Sequence, residues 1–208
     1  MGKRLSAGQR RATILEAAKA LFAESGLHGV SVDAIAERLA VSPATLYKHF
    51  ASKEALYEAV INATACSRES YVDAVLRGPS DFASVLRRIA RTFVDSVAAD
   101  PDFLRMEMHA VLEGNPFAGR FFENRWKHFS DYIELGIREL APQGKAAPVD
   151  VPSASLMFQG MLREVLYVKC VYRSERYRDI PLHQLVDRCI DLFLLAIGYR
   201  ERCLEGAA

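Results

Sequence analysis

Three features of this 208-residue sequence point to an all-α protein with a small three-helix head and a larger helical body. Apolar residues recur at spacings of three and four almost throughout, and no convincing alternating runs are joined by hairpin turns. Capping residues and Pro or Gly breaks interrupt these stripes at helix-length intervals. Hydrophobic residues make up 50% and charged residues 25%, the balance of a globular chain with a core to bury. The boundary is expected near residue 55, giving domains 1–55 and 56–208.

The first helix is expected over residues 10–25, because Ile14, Ala17, Ala18, Leu21 and Phe22 form one apolar stripe. Gly26 stops it, at a position suited to a left-handed residue. Ser31 is an N-cap for a short helix that turns Ile35, Ala36 and Leu39 inward. Ala40-Val41 makes a turn. Ser42 caps a third helix reaching about Phe50, with Pro43 at its first position, where a missing N–H costs nothing. Ser52 caps a fourth helix, and Glu54 in its first turn complements the helix dipole.

In the body, Gly78-Pro79-Ser80 breaks the chain before a helix that starts at Asp81 and carries Phe82, Val85, Leu86, Ile89, Phe93 and Val97. Asp100-Pro101 caps and opens the next helix, which ends at Gly114. Asn115-Pro116 repeats that arrangement before a long helix to about Leu140, whose stripe is Phe122, Trp126, Phe129, Ile133, Ile137 and Leu140. Residues 141–150 read as a loop, and two last helices are expected over roughly 153–173 and 181–203.

A net charge of +1 argues for no partner, and a protein that coats nucleic acid without specificity would be more basic. The average hides an asymmetry. Residues 1–55 hold eight basic side chains (Lys3, Arg4, Arg10, Arg11, Lys19, Arg38, Lys48, Lys53) against five acidic ones (Glu16, Glu24, Asp33, Glu37, Glu54), a net +3, and the remainder is −2. A basic head on a mildly acidic body suggests that the head meets an anion.

Cys66, Cys170, Cys189 and Cys203 show no CxxC spacing, which excludes a zinc knuckle or redox motif and fits free thiols in a reducing cytoplasm. No apolar h-region follows Met1-Gly2-Lys3-Arg4, so no signal peptide is expected. The apolar run Leu192–Tyr199 is eight residues long, whereas a spanning helix needs about 20, so no membrane partner is expected.

Helix, short turn, helix over residues 31–50 is the helix-turn-helix pattern, and its chemistry explains the residue choices. A recognition helix must be short and must offer polar side chains to base edges from its first turn. Ser42, Thr45, Tyr47, Lys48 and His49 crowd this one, while Leu46 and Phe50 hold it to the body. Lys53 and Ser31, each at a helix start, can meet phosphates, and the Tyr47 hydroxyl is long enough to reach the backbone from the groove wall.

Residues 9–60 resemble the N-terminal domain of TetR-family transcriptional regulators. The segments carrying the resemblance are Arg11 to Ala18, Leu21 to Gly26, Ser31 to Ala36, Val41 to Phe50 and Ser52 to Leu56, in the family's order and spacing. The rest of the chain resembles the family in length and helical character, and loosely resembles its AefR-like C-terminal domains. The resemblance implies that Ser31, Tyr47 and Lys53 meet phosphates and that Pro43, Ala44, Thr45, Lys48 and His49 face the major groove of a double-stranded operator. It also implies a homodimer, a small hydrophobic or amphipathic effector, and no cofactor or metal. Ala40 departs from the pattern, since the family often has glycine in this turn. If the position needs positive φ, alanine costs roughly 1 kcal/mol.

The last two helices are apolar almost all round, which predicts burial on two sides. The resemblance implies that the second side is a four-helix dimer interface, for which Phe158, Leu162, Leu185, Cys189, Leu192, Phe193 and Ile197 are the candidates. The middle of the body is rich in aromatic and methionine side chains. Met106, His109, Phe122, Trp126, Phe129, Met157 and Met161 are the candidate effector pocket that the resemblance implies, although helical spacing alone favours a plain core.

Catalysis is not expected. There is no GxSxG, HExxH or Gly-rich phosphate loop, and His28, His49, His109, His128 and His183 show no ligand spacing. The alternative to a regulator is a helical protein–protein adaptor, which leaves the polar residues 42–49 and Lys53 unexplained.

Overall fold

The computed structural model describes residues 6–64 and 78–200. Among these there are helices and turns but no strands. The α-helices are α1 (Ala7–Ser25), α2 (Val32–Arg38), α3 (Pro43–Tyr47), α4 (Lys53–Thr64), α5 (Phe82–Ala99), α6 (Asp102–Leu112), α7 (Ala118–Leu140), α8 (Val151–Leu166) and α9 (Leu182–Ala196). None is long and apolar enough to cross a membrane. The chain gathers into two compact units, one of residues 1–65 with 100–125 and the other of residues 66–99 with 126–208.

In the first unit α1 packs against α4 and α6. Its core joins Ile14, Ala18 and Phe22 of α1 to Ile35 of α2, Leu46 of α3, Leu56 and Tyr57 of α4, and Phe103, Met106 and Ala110 of α6. Helix α1 begins three residues before its expected start at residue 10, because Ser6 and Gln9 form a reciprocal capping box. Asp100 does not cap α6. Its carboxylate takes the buried Lys19 ammonium at 2.6 Å instead, and Glu16 accepts from the same ammonium at 2.9 Å. Burial works against the charged Lys19, but the hydrogen bonds and negative charges of Asp100 and Glu16 together outweigh it and hold its pKa above the ordinary value.

In the second unit α5, α8 and α9 pack on one another. The stripe expected for α5 is buried in full, from Phe82 to Val97. Trp126, Phe129, Ile133 and Ile137 of α7 are also buried in this unit. An aromatic chain runs through the core: Phe93 to Trp126 at 4.5 Å, Trp126 to Phe129 at 5.8 Å, Phe129 to Phe158 at 5.6 Å and Phe158 to Phe193 at 4.4 Å between ring centroids. Helix α8 starts earlier than residue 153 because Asp150 accepts from Ser153 N. Its α-helical ladder ends at Leu166, where a π-turn (Tyr167–Val171) follows. Helix α9 ends at Ala196, and Gly198 takes φ +60 soon after.

Candidate nucleic-acid interface and effector region

The helix-turn-helix is built from main-chain constraints at its turns. Gly26 ends α1 with φ +70, and Ser31 caps α2 by accepting from Ala34 N at 3.0 Å. Ala40 occupies the turn between α2 and α3 with φ +51, so the position does require the left-handed region. Helix α3 stops at Tyr47, short of Phe50. Ser42 makes no side-chain cap bond, and its hydroxyl pairs with Thr45 Oγ1 at 3.0 Å. Ser52 caps α4 through Ala55 N at 3.1 Å.

Leu46 and Phe50 are buried and anchor the recognition helix, as the sequence predicts. Ser42, Ala44, Tyr47 and Lys48 are exposed, and Pro43, Thr45 and His49 are partly exposed. Ser31, Tyr47 and Lys53, the three expected phosphate contacts, line a single recess of about 510 Å³ together with Asp33, Ser52 and Glu54. Glu54 keeps its charge to lower pH than an ordinary carboxylate, because its own backbone N–H and the Ser52 hydroxyl hydrogen-bond to it. The recess is therefore not uniformly positive.

Lys53 has a second task that its spacing gave no hint of. Its ammonium donates to the carbonyls of Leu27 at 2.7 Å and Val30 at 2.8 Å, which closes the α1–α2 turn. Two of its three N–H donors are thereby used, and one is left for another acceptor. The same turn is held from its other side by Glu113, whose carboxylate accepts from Leu27 N at 3.2 Å and His28 N at 3.3 Å. A Cβ at Gly26 would collide with that carboxylate. Glu113 was missed because it lies 86 positions from Leu27, and no local pattern connects them. Arg11 stacks on Phe50 at 4.9 Å, joining the basic start of α1 to the end of the recognition segment. Lys3 and Arg4 lie outside the described residues.

The candidate effector residues divide between the two units. Met106 is fully buried in the core of the first unit, and His109 of the same helix lies beside Gly26. Trp126 and Phe129 belong to the core of the second unit. Met157 and Met161 line a groove of about 450 Å³ between α8 and α9 with Leu192, Phe193 and Ile197. The Phe122 side chain lies outside the described residues.

The expected dimer residues also separate. Phe158, Leu162, Phe193 and Ile197 are buried within the protomer, because each points along the inner face of its helix. Leu185 and Cys189 are half-exposed, and Leu192 is 58% exposed. Three residues not singled out for this role, Leu156 (58%), Met157 (70%) and Leu195 (77%), complete an outward apolar face. A second polar feature also escaped the sequence. Gln159 and Ser155 are buried in the second unit and hydrogen-bond to each other at 3.1 Å.

Comparison with known proteins agrees with this arrangement. Residues 14–60 match the family model described as bacterial regulatory proteins, tetR family. The chain is 29% identical over 159 residues to the HTH-type transcriptional regulator UidR of Escherichia coli, covering 76% of this chain and 78% of that protein. It is 36% identical over 105 residues to the HTH-type transcriptional activator FasR of Mycolicibacterium smegmatis, covering 50% and 48%. The solved structure of the TetR-family transcriptional regulator PfmR from Thermus thermophilus superposes with a TM-score of 0.65 at 23% identity, over 91% of this chain and 99% of that one. The chain thus carries the N-terminal helix-turn-helix domain of the tetR family of bacterial regulatory proteins, followed by the larger helical domain of the TetR fold.

Proposed function

We propose that this chain is a cytoplasmic, sequence-specific transcriptional regulator that binds a palindromic operator as a homodimer, represses from it, and is released by a small hydrophobic or amphipathic effector. The observation that carries this reading is the recognition segment. Residues 42–49 present polar side chains on the face opposite Leu46, next to the recess lined by Ser31, Tyr47 and Lys53. In this reading residues 1–55 read DNA and residues 56–208, AefR-like in kind, hold effector and partner, with residues 100–125 packed into the head's unit.

Thr45, Lys48 and His49 read base edges, with Ser42, Pro43 and Ala44 in close approach. The Ser31 and Tyr47 hydroxyls and the remaining Lys53 N–H meet phosphates. A second copy docks on the outward apolar face of α8 and α9, where Met157, Leu192 and Leu195 are exposed. Two recognition helices about 34 Å apart then enter successive major grooves. The effector acts only through its differential affinity for DNA-competent and incompetent states, so DNA must weaken the effector by the same factor.

In vitro selection of random duplexes by the purified protein, at about physiological salt, tests the reading. Enrichment of a palindrome is expected. Enrichment of nothing by a folded dimer, with and without added cell extract, overturns it and brings the adaptor alternative forward. A reporter behind the selected sequence then fixes the sign of control, which matters because FasR is named an activator.

A further inference from the structure

The second unit has an apolar core with one polar group in it that its own protein atoms do not satisfy. Among the described residues its buried polar side chains are Ser155 and Gln159, at 1% and 5% exposure. Gln159 Nε2 donates to Ser130 Oγ at 2.8 Å and to Ser155 Oγ at 3.1 Å. Ser130 in turn donates its hydroxyl proton to the Trp126 carbonyl at 2.9 Å, so toward Gln159 it can only accept. With the amide turned this way, both serine oxygens accept from Nε2 and Gln159 Oε1 is a buried acceptor without a partner. A leucine would fill the same volume without that desolvation penalty.

The surroundings limit what can satisfy this oxygen. Phe158 precedes Gln159 and belongs to the aromatic chain with Phe129 and Phe193, and Trp126 is linked to Gln159 through Ser130. No cationic side chain is buried in this unit among the described residues, so a carboxylate or phosphate taken into the core would lose its hydration without a counter-charge. The helix that carries Gln159 also departs from a regular, fully packed α-helix at two places. Gly160 lies in its interior with nothing within 4 Å of a Cβ there, so packing does not demand glycine. The π-turn at Tyr167–Val171 follows directly after Leu166.

We infer that Gln159 is the anchor of the effector site, and that the effector is an uncharged apolar molecule that donates one hydrogen bond, from a hydroxyl or N–H, to Gln159 Oε1. This rests on the effector reading proposed above and names its chemistry. Ser130 and Ser155 hold the amide, and the aromatic side chains of Trp126, Phe129 and Phe158 receive the apolar body.

The test uses the full chain and its single tryptophan, Trp126, as the fluorescent reporter. The protein is titrated with 1-octanol, methyl octyl ether and octanoate. Octanol is expected to bind about tenfold more tightly than the ether, and octanoate more weakly than both. Gln159→Leu is expected to melt at a higher temperature, keep the ether affinity, and bring octanol within about twofold of the ether. Gln159→Met serves the same comparison if the leucine variant does not fold. The inference is overturned if the native chain binds alcohol and ether alike, if the variant keeps their separation, if octanoate binds best, or if none of the three alters Trp126 emission. In each of those cases release of the selected operator by cell extract still tests the effector reading separately.

Discussion

The two units hold their helices by different means. The head has an α2 of seven residues and an α3 of five, too short to be stable alone. Burial of Ile35, Leu46 and Phe50 holds them to the core, and contacts to the main chain fix the α1–α2 turn: Lys53 on two carbonyls, Glu113 on two amides, and Gly26 where a side chain would clash. The second unit has α-helices of 15 residues or more that share continuous apolar faces and an aromatic chain. The α1–α2 turn of the head thus depends on a few polar contacts near the residues proposed to face DNA. The second unit depends on distributed volume, so it can hold one unsatisfied polar group without losing its fold.

The largest effect should come from removing volume in the second unit. Phe129 is fully buried and touches three rings of the aromatic chain. Phe129→Ala should cost about 3–5 kcal/mol in denaturant unfolding, from lost burial and the cavity left behind. A cost below about 1 kcal/mol would mean that the core collapses freely around the gap and is not rigidly packed.

Lys53→Met should cost about 2 kcal/mol, because two carbonyls lose a charged donor while most of the aliphatic stem is kept. The same variant weighs the two tasks of this side chain. If it also meets a phosphate, the slope of log affinity against log salt should fall by about 1 per head. A stability loss with an unchanged slope would make Lys53 a turn clamp only. Gly26→Ala should cost about 1–2 kcal/mol, since it adds left-handed strain to the displacement of Glu113. Combined with Glu113→Ala it should cost clearly less than the sum of the two, because both remove the same clamp. Additive losses would show that the Gly26 variant acts through backbone strain and leaves the Glu113 clamp in place.

How much of this was legible in the sequence follows the same division. Element order, the Ser31 and Ser52 caps, the Gly26 stop and the inward stripe of α5 were all readable, because each is decided within a turn or two of its own residues. The resemblance implied phosphate roles for Ser31, Tyr47 and Lys53, and the three line one recess. The Lys53 and Glu113 clamps were not expected, because they join residues 23 to 86 positions apart. Met106 read as an effector residue because methionine at helical spacing looks the same in any core, and it is packed against α1. Four of the seven expected dimer residues are buried in the protomer for a related reason. A helix apolar all round shows that two faces are covered, but not which residues lie on which face.

The smallest effect, Ala40→Gly, tests a place where the sequence departs from the tetR pattern it resembles. Alanine holds φ +51 there, with its N–H on Glu37 O at 3.0 Å and the next N–H, of Val41, on Ala36 O at 3.0 Å. Those bonds keep the turn closed despite a conformation that costs an L-residue about 1 kcal/mol. Glycine removes the strain but loses more backbone entropy on folding, so the net gain should be about 0.5–1 kcal/mol, read as a small rise in melting temperature. Operator affinity should stay the same, because the φ that sets the angle between α2 and α3 is already the one glycine prefers. Unchanged stability with weaker operator binding would give another answer: the alanine stiffens the turn, and the head spends that strain on keeping its recognition helix in one orientation.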